Sequence, residues 1–167
     1  MTEPGSKPAD QLAAAIVEEL TGRGQTVAVA ESLTGGLVAA AITTIPGSSV
    51  VFRGGIVAYA TSLKAALLGV DEDLLAERGP VDSDVATQMA EGVRTRLGAT
   101  FGLATTGVAG PGPADGHPAG TVYIAVAGSH AQTACGLRLS GDRAEVRAQS
   151  VRAVLSLLVR ALQEDIT

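Results

Sequence analysis

Ser32 and Lys64 are the two side chains in this sequence that could work together as a nucleophile and its base. A serine hydroxyl attacks a carbonyl carbon when a neighbouring base removes its proton. Lys64 is the only lysine after Lys7, and the chain otherwise uses arginine. A lysine that is stripped of water can lose its proton near neutral pH, whereas an arginine cannot. The pair therefore predicts nucleophilic catalysis by a serine whose base is a lysine.

Ordinary structural roles remain open for the same residues. Ser32 or Thr34 could cap the helix that follows, and the glycines after them could serve only close packing. Lys64 could be a solvated lysine on a helix surface. Tyr59 could orient Lys64 or donate to a developing charge, but a tyrosine at a strand end is also typical of half-buried packing. Residue type and spacing leave both explanations standing at each position.

Backbone amides near the serine and in a later glycine-rich segment could bind an anionic group. Gly35 and Gly36 lead into a predicted helix, which leaves free N–H groups that can hold a phosphate or an oxyanion. Residues 106–112 are small, so that their amides can approach a ligand closely. Arg53 and Arg143 could clamp a phosphate, or they could be surface charges.

Several familiar catalytic patterns are absent from the sequence. Ser32 is flanked by glutamate and leucine and so lacks the Gly-x-Ser-x-Gly pattern of α/β-hydrolases. The glycine-rich segment lacks the Gly-x-Gly-x-x-Gly spacing of dinucleotide-binding proteins. The single cysteine and the two histidines match no zinc-ligand spacing. We therefore expect neither a metal nor a cofactor.

Composition favours a small soluble protein with a small-molecule ligand. The 167 residues are 46% hydrophobic, 17% charged and 2% aromatic, with a net charge of −5. Excess negative charge and few aromatic rings argue against nucleic-acid binding. Residues 32–52 are uncharged and long enough to span a bilayer, but their Gly, Ser, Thr and Pro content predicts buried soluble structure without membrane contact. One cysteine and the lack of a signal peptide predict a cytoplasmic protein.

Hydrophobic patterns along the chain predict an α/β fold. The first predicted helix ends near residue 22, and further helices are predicted over 37–45, 62–68 and 84–97. Asp142 with Glu145 resembles a capping box, which predicts a last helix that begins after residue 142. The predicted strands cover 26–30, 50–60, 100–106, 121–127 and 132–139, the last two as a hairpin. We expect a single-domain, layered α/β/α sandwich with a mixed, mainly buried sheet. This domain is expected over residues 1–167, with a flexible tail at 1–8.

Ligands in open α/β sheets collect where strands end and loops begin. Three segments follow predicted strands, namely residues 31–36, 59–64 and 106–112. The sequence therefore predicts that Ser32 and Lys64 lie at one common edge of the sheet.

Several separate motifs, in the same order, make this chain resemble the CinA C-terminal domain family. The similarity covers nearly the whole chain, from about Leu12 to Leu162. The motifs are Glu31-Ser32-Leu33-Thr34-Gly35-Gly36, Pro46-Gly47-Ser48-Ser49, Phe52-Arg53-Gly54-Gly55, Tyr59, Lys64, Leu67-Leu68-Gly69-Val70, Thr106-Gly107-Val108-Ala109-Gly110-Pro111-Gly112, Gly120-Thr121-Val122-Tyr123-Ile124-Ala125 and Gly141-Asp142-Arg143.

That resemblance implies nicotinamide mononucleotide deamidase activity, which hydrolyses the carboxamide to nicotinate mononucleotide and ammonia in pyridine-nucleotide recycling. It implies Ser32 as the nucleophile, Lys64 as its base and later the proton donor to ammonia, and Tyr59 as an orienting group. Loop amides near Ser32 would bind the oxyanion. A homodimer is expected. The expected substrate-binding residues are Glu31, Leu33, Thr34, Gly35, Gly36, Arg53, Thr106, Gly107, Gly110 and Arg143.

The chain departs from the family pattern at three places. Leu33 stands where many relatives have cysteine, which argues against a required nucleophile at that position. Residues 61–63 replace a frequent asparagine and acidic residue ahead of the lysine, and Pro113 interrupts a glycine run. These changes affect the expected shape of the pocket more than the expected reaction.

Two further expectations concern function. Larger family members carry an N-terminal domain that resembles molybdopterin-binding proteins and is associated with pyrophosphate-bond hydrolysis. This sequence lacks it, so we expect that second activity to be absent. The alternative to an amidohydrolase is a module of the same fold that binds a nucleotide without turnover, within a competence or DNA-damage pathway.

Overall fold

The computed structural model describes residues 7–164 of the chain. Most of the predicted tail at 1–8 lies outside the described residues. Its last member, Pro8, precedes the first helix, and its carbonyl accepts a hydrogen bond from the Leu12 amide at 3.2 Å.

Residues 7–164 form six α-helices and five β-strands. The helices are α1 (Ala9–Arg23), α2 (Leu37–Thr43), α3 (Thr61–Leu68), α4 (Glu72–Arg78), α5 (Ser83–Leu97) and α6 (Arg143–Glu164). The strands are β1 (Val27–Glu31), β2 (Phe52–Val57), β3 (Phe101–Gly107), β4 (Thr121–Ala127) and β5 (Gln132–Arg138). A single 3-10 turn at Ser48–Val50 precedes β2.

The strands form one mixed sheet in the order β2-β1-β3-β4-β5. Strand β1 pairs in parallel with β2 on one side and β3 on the other, and β4 is antiparallel to both β3 and β5. Helices cover both faces, which confirms the layered α/β/α class. Within the described part of the chain, no helix is both long and apolar enough to cross a membrane.

The two faces of the sheet carry side chains of different size. In β1, Val27 and Val29 pack with α1, α2 and α6, whereas Ala28 and Ala30 pack with α5. All five residues of β1 are buried, as the unbroken apolar run predicted. Small residues on the second face let α5 lie close to the sheet. At Gly102, an added Cβ would lie 2.0 Å from the Ala90 carbonyl oxygen.

Two local predictions were incomplete. The strand expected over 50–60 extends only from Phe52 to Val57, and its pairing with β1 shifts between Val27 and Ala28. Gly54 takes a φ of 148° at this bulge, which explains the glycine there. Helix α4 was not predicted, although Asp71 caps it by accepting from two amides, at 2.8 and 3.0 Å.

The predicted capping box at the start of α6 is confirmed. The Glu145 amide donates to the Asp142 carboxylate at 2.9 Å, and the Asp142 amide donates to the Glu145 carboxylate at 2.7 Å. This fixes where α6 begins, and hence where Arg143 stands.

The end of α3 is anchored by a close contact with α5. Gly92 lies against the Leu68 carbonyl oxygen, which an added Cβ would approach to 1.9 Å. Because α3 also carries Lys64, this contact helps to hold the lysine in place.

Gly92→Ala is expected to lower the free energy of unfolding by about 1–3 kcal/mol, because the methyl group would overlap backbone atoms of α3. Gly22→Ala is the matched control, since its added Cβ has no neighbour within 4 Å. It should raise the free energy of unfolding by about 0.4–1 kcal/mol. Urea unfolding followed by circular dichroism measures both, and equal stability of the two variants would contradict the contact.

Candidate active site

Lys64 and Ser32 are in direct contact at the carboxyl end of the parallel strands. The Lys64 Nζ lies 2.9 Å from the Ser32 Oγ. It also donates to the carbonyl oxygens of Ala58 at 2.8 Å and Tyr59 at 3.4 Å. Lys64 is 1% exposed and Ser32 is 8% exposed. The predicted proximity of the two residues is therefore present in the fold.

The partners of the Lys64 amine suit a base. Carbonyl oxygens only accept hydrogen bonds, so those of Ala58 and Tyr59 occupy two N–H groups. A neutral amine has two N–H groups and one lone pair. With both N–H groups directed to the carbonyls, the lone pair is left for the third neighbour, the Ser32 hydroxyl.

Burial makes the neutral amine accessible near neutral pH. Desolvation lowers the pKa of Lys64 from 10.5 to about 8, and the negative charge of Asp115 acts in the opposite direction. Because the folded chain disfavours the charged amine, Lys64 lowers the free energy of unfolding below about pH 8. That penalty disappears as the pH rises from about 8 to 10.5.

The turn after β1 is held by buried polar groups. The Glu31 carboxylate accepts from the amides of Val38 at 2.8 Å and Ala39 at 3.1 Å, at the start of α2. Thr34 shares a 2.7 Å hydrogen bond with the Thr105 hydroxyl. Glu31, rather than a serine or threonine, therefore satisfies the first amides of α2. Neither Glu31 nor Thr34 lines the cavity above Ser32.

In this turn, Leu33 lines the cavity and has a backbone amide without an acceptor among the described residues, whereas Thr34 is fully buried. The Ser32 amide bonds to the Thr105 carbonyl at 3.0 Å, whereas the amides of Leu33 and Thr34 have no acceptor among the described residues. Arg147 donates to the Leu33 carbonyl at 3.0 Å and the Thr34 carbonyl at 3.4 Å. Since the C=O and N–H of one planar peptide group point in opposite directions, Arg147 also fixes the Thr34 amide.

A cavity of about 330 Å³ opens above Ser32 and Lys64. That volume falls in the usual range for small-molecule sites. Its far wall is the loop that follows β3, from Gly107 to Asp115. The Arg143 guanidinium lines it too, donating to the Gly110 carbonyl at 2.8 Å and the Tyr59 hydroxyl at 3.2 Å.

Half of the expected substrate-binding residues line this cavity. Leu33, Thr106, Gly107, Gly110 and Arg143 are in its wall, whereas Glu31, Thr34, Gly35, Gly36 and Arg53 are not. The Thr106 hydroxyl is engaged by the Pro80 carbonyl at 2.7 Å.

Arg53 lies away from the site because it stands near the start of β2, at the opposite end of the parallel strands. Its Nε donates to the Leu97 carbonyl, the last of α5, at 2.9 Å. The structure therefore does not bring Arg53 to the cavity as a phosphate ligand.

Tyr59 contacts Lys64 through its backbone rather than its side chain. Its carbonyl accepts from the Lys64 amine, while its phenol, on a residue that is 60% exposed, accepts from Arg143. The expected orienting role thus falls to the Ala58 and Tyr59 carbonyls.

Sequence analysis missed Asp115, Arg147 and the wall residues Pro80 and Val81. Asp115 is the one carboxylate in residues 107–120, which was an available signal. Arg147 follows Arg143 by four residues and so shares its face of α6. Nothing in the sequence marks Pro80 and Val81. Over residues 7–164, no group of three or more His, Cys, Asp or Glu could hold a metal ion.

Comparisons with known proteins agree on one family. Residues 9–162 match the model of the CinA C-terminal domain. A CinA-like protein of Frankia casuarinae is 52% identical, over 92% of this chain and 35% of that protein. One of Gloeobacter violaceus is 47% identical, over 92% of this chain and 37% of that protein. The chain thus spans little more than a third of the length of these relatives.

Solved structures share the fold over nearly their full length. The competence/damage inducible protein CihA from Agrobacterium tumefaciens has a TM-score of 0.89 at 38% identity, covering 93% of this chain and 95% of that one. A CinA superfamily protein from Klebsiella pneumoniae has a TM-score of 0.90 at 31% identity, covering 95% of this chain and 99% of that one.

The Lys64 amine is expected to titrate with a pKa of about 8. Carbon-13 labelling of the lysine Cε atoms allows this to be measured by NMR, because the chain has only two lysines. Lys64→Arg assigns the signal by removing it. A Lys64 signal that titrates near the ordinary lysine value would contradict the desolvation of the amine.

Proposed function

Because the chain belongs to the CinA C-terminal domain family, we propose that it hydrolyses the carboxamide of nicotinamide mononucleotide, giving nicotinate mononucleotide and ammonia. The contact of 2.9 Å between the buried Lys64 amine and the Ser32 hydroxyl is the observation that carries this proposal. It supplies a nucleophile and a base in one cavity, without a metal.

Acylation begins with transfer of the Ser32 proton to the neutral Lys64 amine. The Ser32 oxygen attacks the carboxamide carbon, and the carbonyl oxygen becomes an oxyanion in a tetrahedral intermediate. The backbone amide of Leu33 lies in the cavity wall, has no acceptor among the described residues, and is the donor available to that oxyanion. The Ser32 carbonyl, which shares a planar peptide group with the Leu33 N–H, accepts from the Gly35 amide at 3.1 Å and so holds this donor in place. Arg147 holds the next peptide group through the Leu33 carbonyl.

The same lysine serves the departure of ammonia and the second half of the reaction. The protonated Lys64 donates its proton to the leaving nitrogen as the C–N bond breaks, which releases ammonia and leaves an acyl ester on Ser32. Lys64, neutral again, then removes a proton from water. The resulting hydroxide attacks the ester, and the Ser32 oxygen regains a proton as the carboxylic acid leaves.

The nucleotide part of the substrate fits the outer cavity. Arg143 lies in the cavity wall, where its guanidinium donates to the Tyr59 hydroxyl and the Gly110 carbonyl. A phosphate would replace these acceptors and bind the guanidinium. Glycines in the loop after β3 allow close approach of backbone to ligand.

The alternative is a nucleotide-binding module without turnover. The Agrobacterium and Klebsiella structures carry names that refer to competence or damage, which say nothing about a reaction. The burial of Lys64 lowers the free energy of unfolding below about pH 8, and binding without turnover does not require a lysine amine in contact with a serine hydroxyl. This disfavours the alternative.

Ser32→Ala should lower ammonia release from nicotinamide mononucleotide by at least about 10³-fold, since it removes the nucleophile. Lys64→Arg keeps a cation but cannot supply a neutral base, so we expect a fall of about 10²–10⁴-fold. Ser62→Ala is the matched control, because Ser62 is exposed on α3 and does not line the cavity. Ammonia release is followed in a coupled assay.

Wild-type rates from either Ser32→Ala or Lys64→Arg would refute the assigned roles. Binding of the nucleotide by the wild-type protein without ammonia release would favour the alternative module.

The kcat/KM for the nucleotide should rise with pH and level off above about pH 8. This parameter reports the free enzyme, in which Lys64 is active as the deprotonated amine. Below that pH, each unit should lower kcat/KM by about tenfold. A profile that is flat from pH 6 to 9, or that falls through this range, would exclude Lys64 as the base.

A further inference from the structure

The loop after β3 contains a small hairpin that the sequence did not reveal. Ala114 and His117 exchange two backbone hydrogen bonds, at 3.0 and 2.9 Å. Between them, Asp115 has a φ of 52° and Gly116 a φ of 79°. Two central residues with positive φ form a type I′ turn, for which Asp-Gly is a preferred pair. Residues 114–117 therefore form a regular turn within the loop that follows β3.

This turn places Asp115 in the wall of the cavity that holds Ser32 and Lys64. Among the described residues, it is the one non-glycine with positive φ. Its carboxylate makes no hydrogen bond or salt bridge within residues 7–164, but it attracts the Lys64 ammonium across the cavity. The other titratable or charged side chains in the wall are Tyr59 and Arg143, which bond to each other.

A carboxylate in this position opposes the deprotonation that the serine requires. The negative charge favours the charged lysine and so raises the pKa of Lys64, against the effect of burial. Catalysis by the serine and lysine alone would be served better by a neutral residue. Asn-Gly would form the same turn without the charge, so the turn alone does not account for a carboxylate in this cavity wall.

The chemistry of the proposed substrate offers a function for this carboxylate. The ring nitrogen of nicotinamide mononucleotide is bonded to ribose, which makes the ring a pyridinium with a fixed positive charge. When the carboxamide carbon is at the Ser32 oxygen, the small ring keeps this charge within the same cavity. Free nicotinamide and other neutral amides lack it.

We propose that Asp115 recognises the cationic ring of the substrate, and that the bound cation frees the Lys64 amine to act as a base. This inference rests on the proposed function. In the free protein, the carboxylate stabilises the Lys64 ammonium. Once the pyridinium is bound, it takes the carboxylate as its partner and itself repels a second cation, so the lysine gives up its proton. The base is thus switched on by a substrate of the correct charge.

Asp115→Asn tests the charge without changing the turn, because Asn-Gly forms the same turn type as Asp-Gly. Binding is measured calorimetrically in the Ser32→Ala background, which removes turnover. The two ligands are nicotinamide mononucleotide and its neutral isostere, in which a benzamide ring linked through carbon replaces the pyridinium. We expect Ser32→Ala to prefer the cationic ligand. Because Asp115 is exposed, Asp115→Asn should reduce that preference by about three- to fivefold, as for a solvent-exposed charge pair. Asp115→Glu should retain part of it.

The pH profiles of the active protein test the second half of the proposal. The kcat profile reports the pKa of Lys64 in the substrate complex, and the kcat/KM profile reports that of the free enzyme. With nicotinamide mononucleotide, the acid limb of kcat should therefore lie at lower pH than that of kcat/KM. In Asp115→Asn, the kcat/KM limb should move to lower pH, and the gap between the two limbs should narrow to the part that direct repulsion by the ring causes.

Three results would overturn the inference. If Asp115→Asn weakens the binding of both ligands equally, then the residue acts on the shape of the cavity. An unchanged preference would mean that it does not sense the charge of the ring. Coincident limbs in the wild-type protein would exclude activation by the substrate. If Ser32→Ala binds neither ligand and the wild-type protein releases no ammonia, then the proposed function itself fails.

Discussion

One buried amine, held by two carbonyls beside one hydroxyl, is the constraint on which the rest of this structure depends. Lys64 is almost completely removed from water, yet its nitrogen keeps three polar neighbours. The lowered pKa corresponds to a penalty of about 3 kcal/mol for holding the protonated lysine in the folded chain at neutral pH. That is a large share of the stability of a domain of this size. The surrounding packing must offset it.

The sheet and its helices provide that packing. Alanines and glycines on one face let α5 lie directly against β1 and β3, and α3 in turn rests on α5 at Gly92. Just after β2, the Ala58 amide donates to the Glu31 carbonyl of β1 at 2.9 Å and so continues the pairing of the two strands. This hydrogen bond brings the start of α3 beside the end of β1. The lysine and the serine meet because these two strand ends are neighbours in the sheet.

A second set of polar groups prepares the turn without touching the cavity. Glu31 holds the start of α2, and Arg147 holds two carbonyls of the turn from the opposite side. These contacts leave the amides of Leu33 and Thr34 with no acceptor among the described residues. Glu31 and Arg147 are thus used to shape the backbone, while Arg143 and Asp115 remain in the cavity wall, where a ligand can meet them.

The sequence by itself determined the α/β class, the buried strand β1 and the capping box of α6, and it singled out Ser32 and Lys64 as the pair from which we predict catalysis. These features follow from short-range patterns and from residue types that few other roles require. Only the tertiary structure decided the contact between residues 32 and 64, the desolvation of the lysine, the removal of Arg53 to the opposite end of the strands, and the meeting of Arg147 and Asp115 with the site. Sheet order and register set these distances, and they arise from packing between segments far apart in the chain, which local patterns do not specify.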